Sequence, residues 1–280
     1  MTAANPFAES MLQIAQEQVA NATQEAQEIQ LKADKATRIQ KLLENITMFA
    51  IRGWILHVLN VINKEKTLLD EMRHENHPAI TLLNEIFEIS QKKAASIKLY
   101  ISFPSELEKA CATANLSLDR DAHHPNYKFE RGFFQLYIDD QKKTAKLSNF
   151  ESNKLFNIPA DIEAVVEAIQ QDHKRIFDRP FDDKKFLKKL RSHYLAILKA
   201  NKQKDGASVP IRHITRRLGK NEKGFRTDEF LIDLSRLVEK GELEIDGWRM
   251  DCQQTKDTTQ GMYLHIEPKR YIGSLVFKKV

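Results

Sequence analysis

Two runs of apolar residues at helical spacing, followed by two runs at strand spacing, mark residues 208–267. The first predicted helix carries its apolar face at Ile211, Ile214 and Leu218. Gly219 is its predicted end, and Thr227 is the predicted N-cap of the next helix. The second helix has an apolar stripe at Phe230, Leu231, Leu234, Leu237 and Val238 and is predicted to end at Gly241. Strands over residues 243–252 and 262–266 then flank a polar tip.

A strongly basic helix is predicted before these elements, over residues 184–200, with Leu187, Leu190, Tyr194, Ile197 and Leu198 facing a core. Together the segments give the order helix, helix, turn, helix and β-hairpin. This order resembles the winged helix-turn-helix superfamily over residues 184–267. The resemblance is to a fold and implies a binding module, for DNA or for protein.

A long helix is predicted over residues 8–44, because small apolar residues recur in alternating steps of four and three, as in a coiled coil. The repeat runs through Ala15, Val19, Ala22, Ala26, Ile29, Ala33 and Ala36. The other faces are polar, so the helix requires a partner surface. That partner is either a helix of the same chain or a helix of another chain. The candidate partner-binding residues are Val19, Ala22, Ala26, Ile29 and Ala33.

Three regions are predicted along a chain that is mainly α-helical. Further helices over residues 46–63, 80–100 and 106–115 complete a helical bundle or oligomerisation region over residues 1–115. Residues 116–180 are expected to be a connector, formed by a β-hairpin and a helix that runs to Phe177. In the hairpin, Phe134, Leu136 and Ile138 alternate with polar positions. Residues 181–280 form the basic winged-helix domain.

Composition agrees with a largely helical chain, since 30% of the 280 residues are charged and only 9 are Gly and 8 Pro. The two cysteines are far apart and match no metal or redox spacing, which favours a reducing cytoplasm. We expect no signal peptide and no membrane span. The positive charge is concentrated at one end: residues 181–280 hold 22 Lys or Arg and 14 Asp or Glu, a net +8, against +5 for the whole chain.

The basic residues of this end are the candidate nucleic-acid contacts. They are Lys185, Lys188, Lys189, Arg212, Arg216, Arg217, Lys220, Lys223 and Arg226. The second helix of the motif usually enters the major groove. Here that helix is acidic, since it contains four carboxylates and two cations and has a net charge of −2. This favours phosphate contact with double-stranded DNA without sequence readout. Sequence-specific readout and a winged helix used only for protein contact stay open.

Catalytic and metal sites have weaker support. Arg52 and His57 have a spacing that resembles the motif of HEPN ribonucleases, but about 1.4 such pairs are expected by chance from the 15 Arg and 9 His of the chain. His74, His77 and Glu71, and separately the segment 119–124, contain metal-ligand residue types without a full set at known spacing. We therefore predict no catalytic residue, no metal and no cofactor.

By analogy, the arrangement looks like the winged-helix accessory subunits of bacterial SMC-type complexes, including those of anti-phage and anti-plasmid systems. That resemblance implies a non-catalytic adaptor whose partners are DNA and other protein subunits, an ATPase and a nuclease among them, with self-association as a further expectation. The alternatives are a DNA-binding transcriptional regulator and a HEPN-like helical nuclease.

Overall fold

The computed structural model describes residues 7–268 and 270–280, and these residues form a mainly α-helical protein with small antiparallel sheets. The chain divides into two compact units, Met1–Ser96 and Ile97–Val280. The first division of the chain therefore falls before the predicted boundary at residue 115. Among the described residues, no helix has both the length and the apolar character needed to cross a membrane.

In its described part, from residue 7 onward, unit 1 contains four helices. They are α1 (Glu9–Ile51), α2 (Ile55–Lys64), α3 (Lys66–His74) and α4 (Ile80–Ser96). The first break lies at Gly53, whose φ of 71° is accessible to glycine, and the next amide, Trp54 N–H, donates to the carbonyl of Phe49 at 2.9 Å. The predicted helix over residues 8–44 therefore extends through residue 51.

The core of unit 1 gathers only the carboxyl-terminal part of α1 with the shorter helices. It is built from Leu42, Ile46, Val58, Ile62, Leu68, Leu69, Met72 and Leu83. Every residue from 7 to 34 is exposed, including the predicted partner-binding residues Val19, Ala22, Ala26, Ile29 and Ala33. Lys35 is the first residue of α1 that is partly buried: its ammonium lies 3.1 Å from a carboxylate oxygen of Glu71 and 2.6 Å from one of Glu75. The first half of α1 is thus an arm without packing from its own unit.

Unit 2 begins with α5 (Leu99–Thr113), which packs against α6 (Ile162–Phe177). The predicted break between the helices over residues 80–100 and 106–115 was wrong, because α5 is continuous there and Pro104 lies inside it. Leu99, Phe103, Leu107 and Cys111 are all buried at steps of four. This continuous apolar stripe outweighs the single backbone hydrogen bond that proline removes.

The first sheet of unit 2 is a four-stranded antiparallel meander. Its strands are β1 (Asn126–Phe129), β2 (Phe134–Asp139), β3 (Thr144–Asn149) and β4 (Phe156–Pro159), in that order. The predicted hairpin is formed by β2 and β3, and the predicted alternation is present, since Phe134, Leu136 and Ile138 are buried. Strand β4 was not predicted, and neither was β1 as a separate strand. Pro159 is the last residue of β4, and α6 begins at Ile162.

The rest of unit 2 combines three helices with a second antiparallel sheet. These elements are α7 (Asp183–Ala200), β5 (Val209–Pro210), α8 (Ile211–Asn221), α9 (Thr227–Lys240), β6 (Glu244–Ile245), β7 (Trp248–Gln254), β8 (Met262–Leu264) and β9 (Arg270–Lys279). The sheet order is β5-β9-β7-β6, and β8 pairs with β9. Gly219 lies within α8, two residues before its end, whereas Gly241 ends α9 as predicted with a φ of 75°.

The predicted hairpin between residues 243–252 and 262–266 was wrong, because both β7 and β8 pair with β9 and not with each other. Strand β9 was not predicted. Gly273 interrupts its apolar pattern for a packing reason: a Cβ at this position would lie 2.8 Å from the Cβ of Thr255. The central strand of the sheet, β9, therefore lacks a regular alternation of apolar and polar residues.

Candidate nucleic-acid interface

Three of the four acidic residues of α9 are paired with arginines from α6 and the following segment. Arg175 donates to Asp228 at 2.9 Å, to Glu229 at 2.8 Å and to Asp172 at 2.8 Å. Arg179 forms an ion pair with Asp233. Asn149 also donates to Asp228, at 3.0 Å. The carboxylates of Asp228, Glu229 and Asp233 are therefore compensated inside the protein.

Burial and pairing shift the pKa values of two α9 carboxyl groups in opposite directions. For Asp228, burial acts to raise the pKa, but hydrogen bonds from Arg175 and Asn149 outweigh it, so the pKa is lowered. For Asp233, burial prevails over the attraction of Arg179, so the pKa is raised. Asp233 is 6% exposed, and its Oδ1 atom is buried without a hydrogen-bond partner.

Helix α9 has little surface to offer a DNA groove. Eight of its residues are buried, namely Asp228, Phe230, Leu231, Ile232, Asp233, Leu234, Ser235 and Leu237. Its fully exposed positions are the last two, Glu239 and Lys240. Arg236 donates to the carbonyl of Phe177 and is thereby turned toward α6. Base readout by an inserted helix requires an exposed face, which α9 lacks.

Six of the nine candidate nucleic-acid residues have exposed side chains. They are Lys185 and Lys188 on α7, Arg216 and Lys220 on α8, and Lys223 and Arg226 in the turn between α8 and α9. Helices α7 and α8 pack together, and an ion pair between Lys189 and Glu222 joins α7 to the turn. Arg216 and Lys220 are four residues apart and share one face of α8.

The other three candidates are less available. Lys189 is half-buried in its pair with Glu222. Arg217 is half-buried, and its Nε atom is buried without a hydrogen-bond partner. Arg212 has a structural role, because its guanidinium pairs with Glu151 and donates to the carbonyl of Gly261 at 2.7 Å. No local sequence signal separates these three from the exposed six.

A groove lined by aromatic rings runs beside the exposed cations, and sequence reasoning missed it. Phe181, Phe186, Phe230 and Phe225 form a continuous row with ring centroids 5.5, 5.6 and 5.9 Å apart. Two cavities follow the row, of about 190 Å³ and about 400 Å³, and both are lined by Phe186, Lys189 and Asp233. Three of the rings are half-buried, whereas Phe230 is buried and forms part of the floor.

A histidine–carboxylate contact lies on the side of α6 near its end. The Nε2 atom of His173 lies 3.1 Å from Oε1 of Glu130, and its Nδ1 atom lies 3.9 Å from Asp178. The contact with Glu130 raises the pKa of His173, and His173 in turn lowers the pKa of Glu130. His265 packs against Phe177 with ring centroids 5.5 Å apart, and burial lowers the pKa of His265.

The residues considered for catalysis or metal binding contact aromatic rings or single polar groups. Arg52 is exposed, and its Cζ atom lies 4.6 Å from the centroid of the Trp54 ring. His57 packs against the rings of Phe49 and Trp54. His124 contacts Asp140 at 2.8 Å and the hydroxyl of Tyr127 at 3.1 Å. Within residues 7–268 and 270–280, no three His, Cys, Asp or Glu residues are grouped so as to hold a metal ion.

Comparison of the chain with protein-family models, with curated proteins and with solved structures gave no match. The function of the chain is therefore inferred from its own geometry.

Proposed function

We propose that this protein is a non-catalytic adaptor. Its carboxyl-terminal part, from α7 to β9, acts as a winged helix that holds double-stranded DNA by its phosphates. Two features support this reading of the fold. The elements follow the order α7, β5, α8, α9 and then strands, and β9 lies between β5 and β7 in the sheet. The short strand β5, between the first two helices, pairs with the last strand, β9, and so joins the helices to the sheet.

The observation that carries the proposal is the contrast between α9 and the residues before it. Eight of the 14 residues of the helix that would read bases are buried, and three of its four carboxylates are paired with arginines. Exposed cations lie instead on α7, on α8 and in the turn. Lys and Arg side chains that contact phosphates bind DNA strongly without distinguishing sequences. This favours an adaptor over a transcriptional regulator that reads bases with α9.

The exposed arm of α1 supports the second part of the proposal, contact with another protein chain. The Ala, Val and Ile residues of its repeat are exposed and are not buried by the rest of unit 1. By the analogy with SMC-type complexes, the partners would be an ATPase and a nuclease, and the process a defence against foreign DNA. Co-purification of the tagged protein with the products of neighbouring genes would test those identities.

DNA binding is tested by titrating the full chain against two unrelated duplexes at several salt concentrations. Since each neutralised phosphate releases counterions, a log–log plot of affinity against salt should be linear with a slope of roughly −0.9 per contact. Four or five contacts correspond to a loss of about four decades in affinity per tenfold increase in salt, and the six exposed cations allow that number.

Arg216→Ala combined with Lys220→Ala should weaken both duplexes equally and make the slope shallower by about two units. Lys32→Ala combined with Lys41→Ala is the matched control, because it removes the same charge from exposed positions of α1. Affinity that ignores salt, or that differs by more than about 100-fold between the duplexes, would refute backbone-only binding and favour the regulator.

A further inference from the structure

The aromatic groove of unit 2 has features that duplex binding does not use. A duplex presents phosphates to a protein surface, and its bases are stacked within the helix. Exposed cations alone would therefore be sufficient for the proposed function. A row of phenylalanine rings with a cavity along it needs a separate explanation.

Single-stranded nucleic acid offers the chemistry that fits this groove. Proteins that hold single strands combine cations that follow the backbone with aromatic rings on which the bases stack. Here Phe181, Phe186 and Phe225 are half-buried, so part of each ring is available to a ligand. Lys185 lines one cavity, and Lys223 and Arg226 line the other, so exposed cations lie beside the rings in both. Carboxylates share the lining: Asp182 in the first cavity, and Glu222 and Glu229 in the second.

A buried acceptor at the base of the groove points to a ligand with hydrogen-bond donors. Asp233 lines both cavities and is 6% exposed. Its Oδ2 atom pairs with Arg179, but its Oδ1 atom has no hydrogen bond and lies 4.0 Å from a guanidinium nitrogen of Arg236. Unpaired buried acceptors are costly, and the amino and imino groups on base edges are donors that would satisfy this one.

We propose that the groove between α7 and α9 binds unpaired nucleotides, with bases against Phe181, Phe186 and Phe225 and phosphates at Lys185, Lys223 and Arg226. The inference rests on the proposed function, since both assign unit 2 to nucleic acid. It adds a ligand class, single-stranded DNA or RNA, and a location distinct from the Arg216–Lys220 face of α8. An acidic peptide with an apolar anchor is a less good match, because one anchor does not account for a row of rings.

The test is fluorescence anisotropy of the full chain with three labelled probes of about 12 nucleotides, a length within known single-strand site sizes. The probes are oligothymidine, an abasic strand of equal length and charge, and a duplex. Stacking is worth about tenfold in affinity per base, so oligothymidine should bind at least about tenfold more tightly than the abasic strand.

Phe181→Leu combined with Phe186→Leu should remove this preference and leave duplex affinity unchanged, because leucine retains apolar contact but offers no ring face. Tyr137→Leu is the matched control: its ring is exposed on β2, outside the groove, and its loss should change nothing. The comparison of thymidine with abasic strand needs only the wild-type chain, so the proposal is testable even if the double variant is unstable.

Equal affinity for oligothymidine and the abasic strand, with duplex binding intact, would overturn the groove proposal and leave the proposed function standing. Failure to bind any of the three probes would overturn both. A further arm uses an amidated acidic peptide with a single phenylalanine. If that peptide binds wild type but not the double variant, and bases give no advantage over abasic sites, the groove belongs to a protein partner and the inference is wrong.

Discussion

Helix α9 and the first half of α1 show opposite relations between sequence character and exposure. Helix α9 carries six charged residues, yet eight of its 14 residues are buried, two of them aspartates. The first half of α1 has an apolar repeat that resembles a core seam, yet every residue from 7 to 34 is exposed. Both are regular helices, so helix formation itself does not distinguish them.

The difference lies in the partner that each helix finds within the chain. Arg175 and Arg179 reach α9 and compensate its carboxylates, which makes burial of Asp228 and Asp233 tolerable. The arm of α1 meets no helix of its own unit, although its stripe is suited to one. The character of a helix thus indicates what kind of surface it requires, and only the rest of the fold shows whether that surface is supplied.

The largest effect should follow removal of the α9 counter-charge. Arg175→Ala leaves Asp228, which is 5% exposed, without its main partner and should lower the free energy of unfolding by about 3 kcal/mol or more. Urea denaturation of the full chain measures this. Arg216→Ala, which removes an exposed arginine of α8, should change stability by less than about 0.5 kcal/mol. Equal stability of the two variants would show that the buried pairing contributes nothing.

The same substitution on the two helices gives the most direct comparison. Ile232 on α9 is 2% exposed and Ile29 on α1 is 67% exposed. Ile232→Ala should cost about 2–5 kcal/mol, since it removes buried methyl groups and leaves a cavity. Ile29→Ala should cost less than about 0.5 kcal/mol in the isolated protein. A large loss at Ile29, measured by the same urea titration at low protein concentration, would mean that the arm is covered even in the single chain.

Much of the helical structure could be predicted from the sequence, because it rests on local periodicity. The stripe of α9, the basic helix α7 and the seam of α1 were all visible as apolar spacing. The β2–β3 hairpin was visible for the same reason. By contrast, β9 has Gly273 and Ser274 in its middle, so its alternation is broken where the backbone approaches Thr255. Its pairing with β7 joins residues on either side of β8 in the sequence, whereas β8 pairs with it as the preceding strand.

The candidate site was predictable in its charge but not in its arrangement. A net +8 over residues 181–280 can be counted from the sequence. Which cations are exposed depends on contacts such as Arg212 with Glu151, 61 residues away. The aromatic row brings Phe181 and Phe186 together with Phe225 and Phe230. In the sequence, the whole of α8 lies between the first pair and the second.

A smaller effect should depend on pH, at the contact between His173 and Glu130. The pKa of His173 is raised in the folded protein, so the contact stabilises fully below the unfolded histidine value of about 6.5. That contribution is lost as pH rises through the folded pKa. His173→Gln should therefore cost about 1.5 kcal/mol near pH 5.5 and much less near pH 9.

Urea midpoints at the two pH values measure the His173 effect, and the groups facing this histidine are Glu130, Asp178 and Phe177. Glu130→Gln provides the matched change from the other side and should reduce stability in the same pH range. A cost of His173→Gln that is equal at both pH values, or larger at high pH, would contradict a charged contact.

The smallest effect on stability, and the largest on assembly, is expected from lysines in the seam of α1. Ala26→Lys combined with Ala33→Lys should leave the free energy of unfolding within about 0.5 kcal/mol, because both positions are exposed and lysine is a good helix former. Association with another chain should be abolished, since two buried ammonium groups cannot be accommodated where alanines allow close packing. Light scattering of the full chain, alone and with co-purified subunits, gives the mass of the assembly.

Gln13→Lys combined with Gln27→Lys is the matched control, because it adds the same charge to α1 outside the seam and should leave assembly intact. Assembly that survives lysines at Ala26 and Ala33 would show that the exposed stripe is not an interface, and the contrast with α9 would then reflect only a solvated helix.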